Sequence, residues 1–224
     1  MAAWPGSEEE LLERQLELAA ARPESWRPGM PPHAAGGCFV CFGRGKVGAG
    51  AAGDPGWAGA ALLRGDDTLT VVTTGKAGAP YAAGLLALRE GPLLEQAVRA
   101  LPELPDVLLV DATGRDHARR AGLALHLGAV LGVPTVGVTH RPLTAEGEWP
   151  PDRRGAKTPL LVDGELVGYW VRTRPGTRPL ACHAAWRTDP DTAVEIVLAF
   201  TGQRRSPEPL RQARTAARRA RGTH

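Results

Sequence analysis

The strongest constraint in this chain is a run of four apolar residues, Val107, Leu108, Leu109 and Val110, stopped by Asp111. A short run of this kind reads as a strand buried on both faces, the pattern of a parallel sheet. Its surroundings fit that reading. Leu93, Leu94, Ala97, Val98 and Leu101 recur at helical spacing behind Pro92, a residue suited to the first helical position, and LPELP closes the segment. A helix over 123–131 and a second strand over 134–138 follow.

The flanks extend the sheet. Three largely antiparallel strands are expected over 36–42, 58–63 and 68–74, the last two joined by the turn RGDD. A hairpin around DGE joins 159–162 to 166–173, RPLACHAA carries one more strand, and a helix over 191–200 is capped by Asp189 or Asp191. Residues 7–21 read as an amphipathic helix, with Ser7 as N-cap and Glu8, Glu9 and Glu10 in the first turn. A Pro-rich stretch then leads to the first strand. The fold class is α/β: a mixed sheet with helices on both faces. We expect one domain over 1–205 and a basic helix or tail over 206–224.

Charge and cysteine content narrow the function. The formal net charge is +3, and seven arginines fall in the last 21 residues, which permits nucleic-acid binding without requiring it. Cys38 and Cys41 form a CxxC in a strand-like setting, where odd spacing points them to opposite faces. Small apolar filler is therefore their expected role, rather than redox or zinc chemistry. The Gly/Ala-rich stretch 43–56 lacks GxxxxGK[ST] and reads as a hairpin connection rather than a phosphate loop. No segment is apolar enough to span a membrane, and the acidic N-terminus is unlike a signal peptide. A cytoplasmic protein is the expectation.

Two acids stand out. Asp111 ends a strand, where α/β sheets gather their ligands, and it reads equally as a metal acid or as a cap of the following loop. Glu90, in LREGP, reads alone as an exposed residue opening a helix. Together the two suit Mg²⁺, which is held by one or two carboxylates plus substrate phosphate. His117, Arg119 and Arg120 follow Asp111 closely and are candidate phosphate contacts. Tyr81 is a candidate wedge for an extruded base, and His126, in LALHLG, a packed core histidine.

These motifs resemble the endonuclease V family of deoxyinosine-directed nucleases. PYAAGLLALREGP is similar to the family's PYxPGxLxFRExP, and VLLVDATGRDHARRAGLALHLG to its DGxGxxHPRxxGxAxHxG. VPTVGVTHR resembles LPTIGVAKK, and SPEPLRQA the closing LPEPxRxAD, so the likeness covers nearly the whole chain. It implies a ribonuclease-H-like fold and Mg²⁺-dependent cleavage of DNA or RNA near inosine. Glu90 and Asp111 would be metal acids. Pro80, Tyr81, Gly84, His117, Arg119, Arg120 and His140 would face nucleic acid.

The departures imply a degenerate centre. Aligning GGCFVCF on the family's first-strand GxDVxY places Phe39 at a metal aspartate, and a phenyl ring cannot ligate Mg²⁺. His140 falls on a basic residue of GVAKK, and Ala185 and Trp186 on a glycine–histidine pair. Ala82 and Ala83 replace part of the wedge. His183, Asp54, Asp116 and Asp189 are the candidates for compensation. The expectations are weakened or absent Mg²⁺, impaired or lost catalysis, and Phe39 packed beside Trp186 in the old site. The alternative is a non-catalytic protein that binds nucleic acid or another protein through the old cleft.

Overall fold

The computed structural model describes residues 4–29, 34–43 and 50–222. Among these residues eight strands form one sheet: β1 (Ala35–Phe42), β2 (Pro55–Arg64), β3 (Asp67–Lys76), β4 (Val107–Val110), β5 (Thr135–Thr139), β6 (Lys157–Val162), β7 (Glu165–Val171) and β8 (Leu180–Ala184). Their spatial order is β3-β2-β1-β4-β5-β8-β7-β6. β1, β4 and β5 are mutually parallel at the centre, and the remaining pairings are antiparallel. The four residues of β4 are fully buried, as a central strand covered on both faces requires.

The helices of the described residues cover the faces: α1 (Glu8–Ala20), α2 (Leu86–Arg99), α3 (Leu123–Leu131), α4 (Pro190–Ala199) and α5 (Glu208–Gly222). Leu108 and Val110 pack with Cys38 against α1, α2 and α3. Val107 and Leu109 turn to the other face, toward α4 and Leu210 of α5. The period-two alternation of β4 thus divides the core into two layers. None of the helices among the described residues is long and apolar enough to cross a membrane.

The basic C-terminal segment is a helix seated on β1 and β2, with Pro209, Leu210, Ala213 and Ala217 buried. Two glycines set the spacing. A Cβ on Gly37 would collide with the Pro209 carbonyl group, and one on Gly59 with that of Ala213.

Several expectations change. Pro92 does not start α2 but lies inside it, so Glu90 belongs to the helix rather than preceding it. Proline has no N–H to give the carbonyl of Leu88, while the next carbonyl, of Arg89, accepts the N–H of Gly78. Cys38 and Cys41 do face opposite layers, and neither forms a disulfide. The expected connection over 43–56 lies partly outside the described residues.

Candidate functional site

Three elements converge at the carboxyl end of the central strands. β4 delivers Asp111. α2 delivers Glu90, which shares a helical face with the buried Ala87, Leu94 and Ala97. α5 delivers Arg214 from a turn whose small residues, Ala213 and Ala217, lie against the sheet.

The Nη2 of Arg214 donates to Oδ2 of Asp111 at 2.8 Å, with both side chains about four-fifths buried. The guanidinium also lies over Phe39, 5.2 Å from the ring centroid, and that of Arg218 lies 5.4 Å away. Phe39 packs with the clusters built on Ala213 and Ala217. It therefore lies on β1 beside the two acids, and its ring supports arginines rather than filling a void. A recess of about 190 Å³ is lined by Cys38, Phe39, Val40, Tyr81, Glu90 and Asp111, among others. Desolvation raises Glu90 to about 7; the nearby Asp111 adds to this and Arg89 opposes it.

An adjoining cavity of about 260 Å³ shares Tyr81 and Asp111 with this recess and continues to Gln15, Thr113, His117, Thr139 and Arg141. One carbonyl organises its rim. Gly84, at φ +80°, accepts hydrogen bonds from Gln15 Nε2 and His117 Nε2, both at 3.0 Å. The Nδ1 of His117 accepts the N–H of Arg119, which places the ring proton on Nε2. Burial holds this imidazole below its usual pKa, against the pull of the Gly84 carbonyl. Tyr81 stands half exposed at the mouth.

The structure thus gathers Tyr81, Gly84, Glu90, Asp111 and His117, with Pro80 exposed beside Tyr81. Partial burial, then the charges of Arg205 and Arg214, hold His140 below its usual pKa, with Asp111 opposing. Arg119 and Arg120, expected as phosphate contacts, have partners within the chain. Arg119 is spent on Gln15 and Gly84, and Arg120 on Asp163, Glu165 and the Val162 carbonyl.

The compensating candidates are otherwise engaged. Asp54 accepts from Ala51 N–H and pairs with the buried Arg89. Asp189 caps α4 and pairs with Arg27. Asp116 accepts from the N–H groups of Leu143, Thr144 and Ala145. His183 is fully buried, with Nε2 at 2.9 Å from Thr139 Oγ1 and Nδ1 at 3.6 Å from Asp116.

Trp186 is not in this site. β8 runs antiparallel to β5, so the chain after β8 emerges where β5 begins, opposite Asp111. There the Trp186 N–H donates to Thr135 Oγ1, the Trp186 carbonyl accepts the Thr135 N–H, and the side chain packs beside Gly128 of α3. It shares no cluster with Phe39, so their expected contact is overturned. The residue that the sequence reading missed is Arg214. The signal was available: SPEPLRQA stops one residue short, and the final aspartate of LPEPxRxAD falls on Arg214.

A divalent cation does not fit the arrangement as it stands. Among the described residues no three His, Cys, Asp or Glu side chains converge to hold one. Of the two acids present, Asp111 already carries a guanidinium against its oxygen, where like charges would repel an incoming cation.

The order and direction of the strands, with acids at the carboxyl end of the central ones, define a ribonuclease-H-like α/β fold of the nuclease class. The family model for Endonuclease V matches residues 56–215. An Endonuclease V of Streptomyces avermitilis is 38% identical over 98% of this chain and 94% of its own length. The crystal structure of an Endonuclease V from that organism superposes with TM-score 0.86 at 36% identity, covering 100% of this chain and 96% of the other. An Endonuclease V of Ciona intestinalis, solved with a DNA 24-mer containing an inosine followed by a ribo-adenosine, shares the fold at TM-score 0.78 and 22% identity, covering 96% and 98%. The chain belongs to the Endonuclease V family.

Proposed function

We propose that this chain keeps the nucleic-acid cleft of its family and has lost, or nearly lost, metal-dependent phosphodiester cleavage. The observation that carries the reading is the Arg214–Asp111 pair above Phe39. Where a metal-dependent nuclease needs clustered acids, one β1 position holds a phenyl ring and the acid of β4 is already neutralised. Mg²⁺ is then weakly bound or not bound.

The cleft itself supports binding. The Ciona relative takes inosine-containing DNA, and we extend that substrate class, deaminated purine in DNA or RNA, to this chain. Tyr81 at the mouth fills the gap left when a base leaves the stack, and the cavity behind it receives the base. His117, with its proton fixed on Nε2, holds the Gly84 carbonyl and so the wedge loop in place.

The test uses single- and double-stranded DNA and RNA with one inosine, in Mg²⁺ or Mn²⁺. Salt-dependent binding without cleavage is the expected result. Cleavage that disappears in Glu90→Ala and Asp111→Ala would defeat the loss of catalysis. Absence of binding under every condition would leave a protein partner as the remaining use of the cleft.

A further inference from the structure

We infer that Arg214 takes the place of the divalent cation, making this centre a metal-independent binding site for a phosphodiester. The inference rests on the nucleic-acid reading above for its ligand, but not for its account of the metal.

The geometry begins with α5. Gly37 and Gly59 let the helix lie against β1 and β2, and Leu210, Ala213 and Ala217 form its buried stripe. Arg214 follows Ala213 on the edge of that stripe, so its side chain leaves at the end of β4. The Phe39 ring holds the guanidinium from below through its π face. Asp111 fixes one end through Nη2. A β1 carboxylate would compete with Asp111 for this guanidinium, whereas an aromatic ring holds it and leaves its hydrogen-bonding capacity unspent. The two departures are thus coupled: an arginine on α5 and a ring on β1.

Arginine carries five N–H donors in a rigid fork. Among the described residues the guanidinium of Arg214 makes one hydrogen bond, to Asp111. Its Nε is buried without a partner. The surroundings add positive charge. Arg205 acts electrostatically on both His140 and Arg214 while donating to the main-chain carbonyls of Arg178 and Pro179, which cancel none of its charge. Arg218 shares the Phe39 ring. Asp111 and Glu90 are outnumbered, so an anion is favoured here and a cation is not.

A metal held by Asp111 and Glu90 would attract a phosphate to these acids. Arg214 does the same through a charge-assisted bond on each side, without supplying an activated water. Binding and hydrolysis are separated by one residue.

Two measurements test this. Binding of Mn²⁺ by the protein alone, read by electron paramagnetic resonance, needs no nucleic acid. The wild type is expected to leave Mn²⁺ free, and Arg214→Ala to acquire a bound signal that disappears again when Asp111→Asn is added. Bound Mn²⁺ in the wild type, or no gain in a folded Arg214→Ala, overturns the inference. The second measurement is oligonucleotide binding by fluorescence anisotropy in chelator or Mg²⁺. The wild type is expected to bind equally in both, and Arg214→Gln about tenfold more weakly, the worth of one charge-assisted hydrogen bond. Arg214→Lys should recover part of the loss and confirms that the fold is intact. Tighter binding in Mg²⁺, or unchanged binding by Arg214→Gln, overturns it. Should the wild type bind no oligonucleotide at all, the nucleic-acid reading falls, and the Mn²⁺ measurement still decides whether Arg214 excludes the metal.

Discussion

Gly59 lies so close to Ala213 that a Cβ on the glycine would collide with the helix carbonyl oxygen. This contact seats α5 on the sheet and carries the next residue, Arg214, to Asp111. Gly59→Val should therefore cost about 1–3 kcal/mol of stability by overpacking. It should also raise the accessibility of Asp111. Denaturant unfolding measures the first, and a change under 0.5 kcal/mol (a surface-substitution value) would mean that α5 is not held here.

Glu90 gives the centre a pH-dependent cost. Its folded pKa is raised from 4.5 to about 7 by desolvation first and Asp111 second. A group raised in this way favours folding most below the unfolded value, and the advantage is lost as pH rises through about 7. In chelator, Glu90→Gln should leave stability at pH 4 unchanged and raise it above pH 7 by about 2–3 kcal/mol. Equal effects at both ends of the range would contradict the burial of this carboxyl.

His126 acts in the opposite sense. Both ring nitrogens are buried without hydrogen-bond partners among the described residues, and Trp4 stacks on the ring at 4.5 Å. Burial first, then Arg14, lowers its pKa from 6.5 to about 4. The unfolded chain therefore takes up the proton earlier, and stability falls as pH drops from 6.5 toward 4, by up to about 3 kcal/mol. His126→Leu should flatten this acid limb in thermal melts across the range. An unchanged slope would assign the limb elsewhere, with the buried His183 the next candidate.

Asp116 fastens the cavity wall. Burial raises its carboxyl pKa, but His183 and the amides of Leu143, Thr144 and Ala145 outweigh this and hold it below the usual range. His183 is itself driven down to about 4, so at neutral pH the amides are what keep Asp116 ionised. Asp116→Asn turns an acceptor into a donor facing N–H groups and should cost about 2–3 kcal/mol. Hydrogen exchange should quicken at residues 143–145. Since the folded pKa is depressed, the native contribution is present above the unfolded value near 3.9 and is lost as pH falls through the folded one. Native-like exchange in the variant would show that the loop is held by other contacts.

The sequence by itself determined the local elements and the family. Val107–Val110 reads as a buried strand because it is short, apolar on both faces and stopped by Asp111, and the helix expected over 123–131 is there as α3. Asp111, Glu90 and Tyr81 were legible from their motifs. What depended on neighbours across the sheet was not. Pro92 looked like a helix start because local preference cannot see the turns of α2 on both sides of it held by the core, with Ala87, Leu93 and Leu94 buried. Trp186 looked like a site residue because a motif carries no strand direction, and the antiparallel course of β8 sends it to the far end. Arg119 and Arg120 looked free because their partners, Gln15, Asp163 and Glu165, are distant in sequence. The tertiary structure alone brought Arg214 onto Asp111 across 103 residues, through two glycines that let a helix lie flat on the strands. Whether an aspartate holds a metal or an arginine depends on what stands opposite it, and that is settled by packing rather than by the residues on either side.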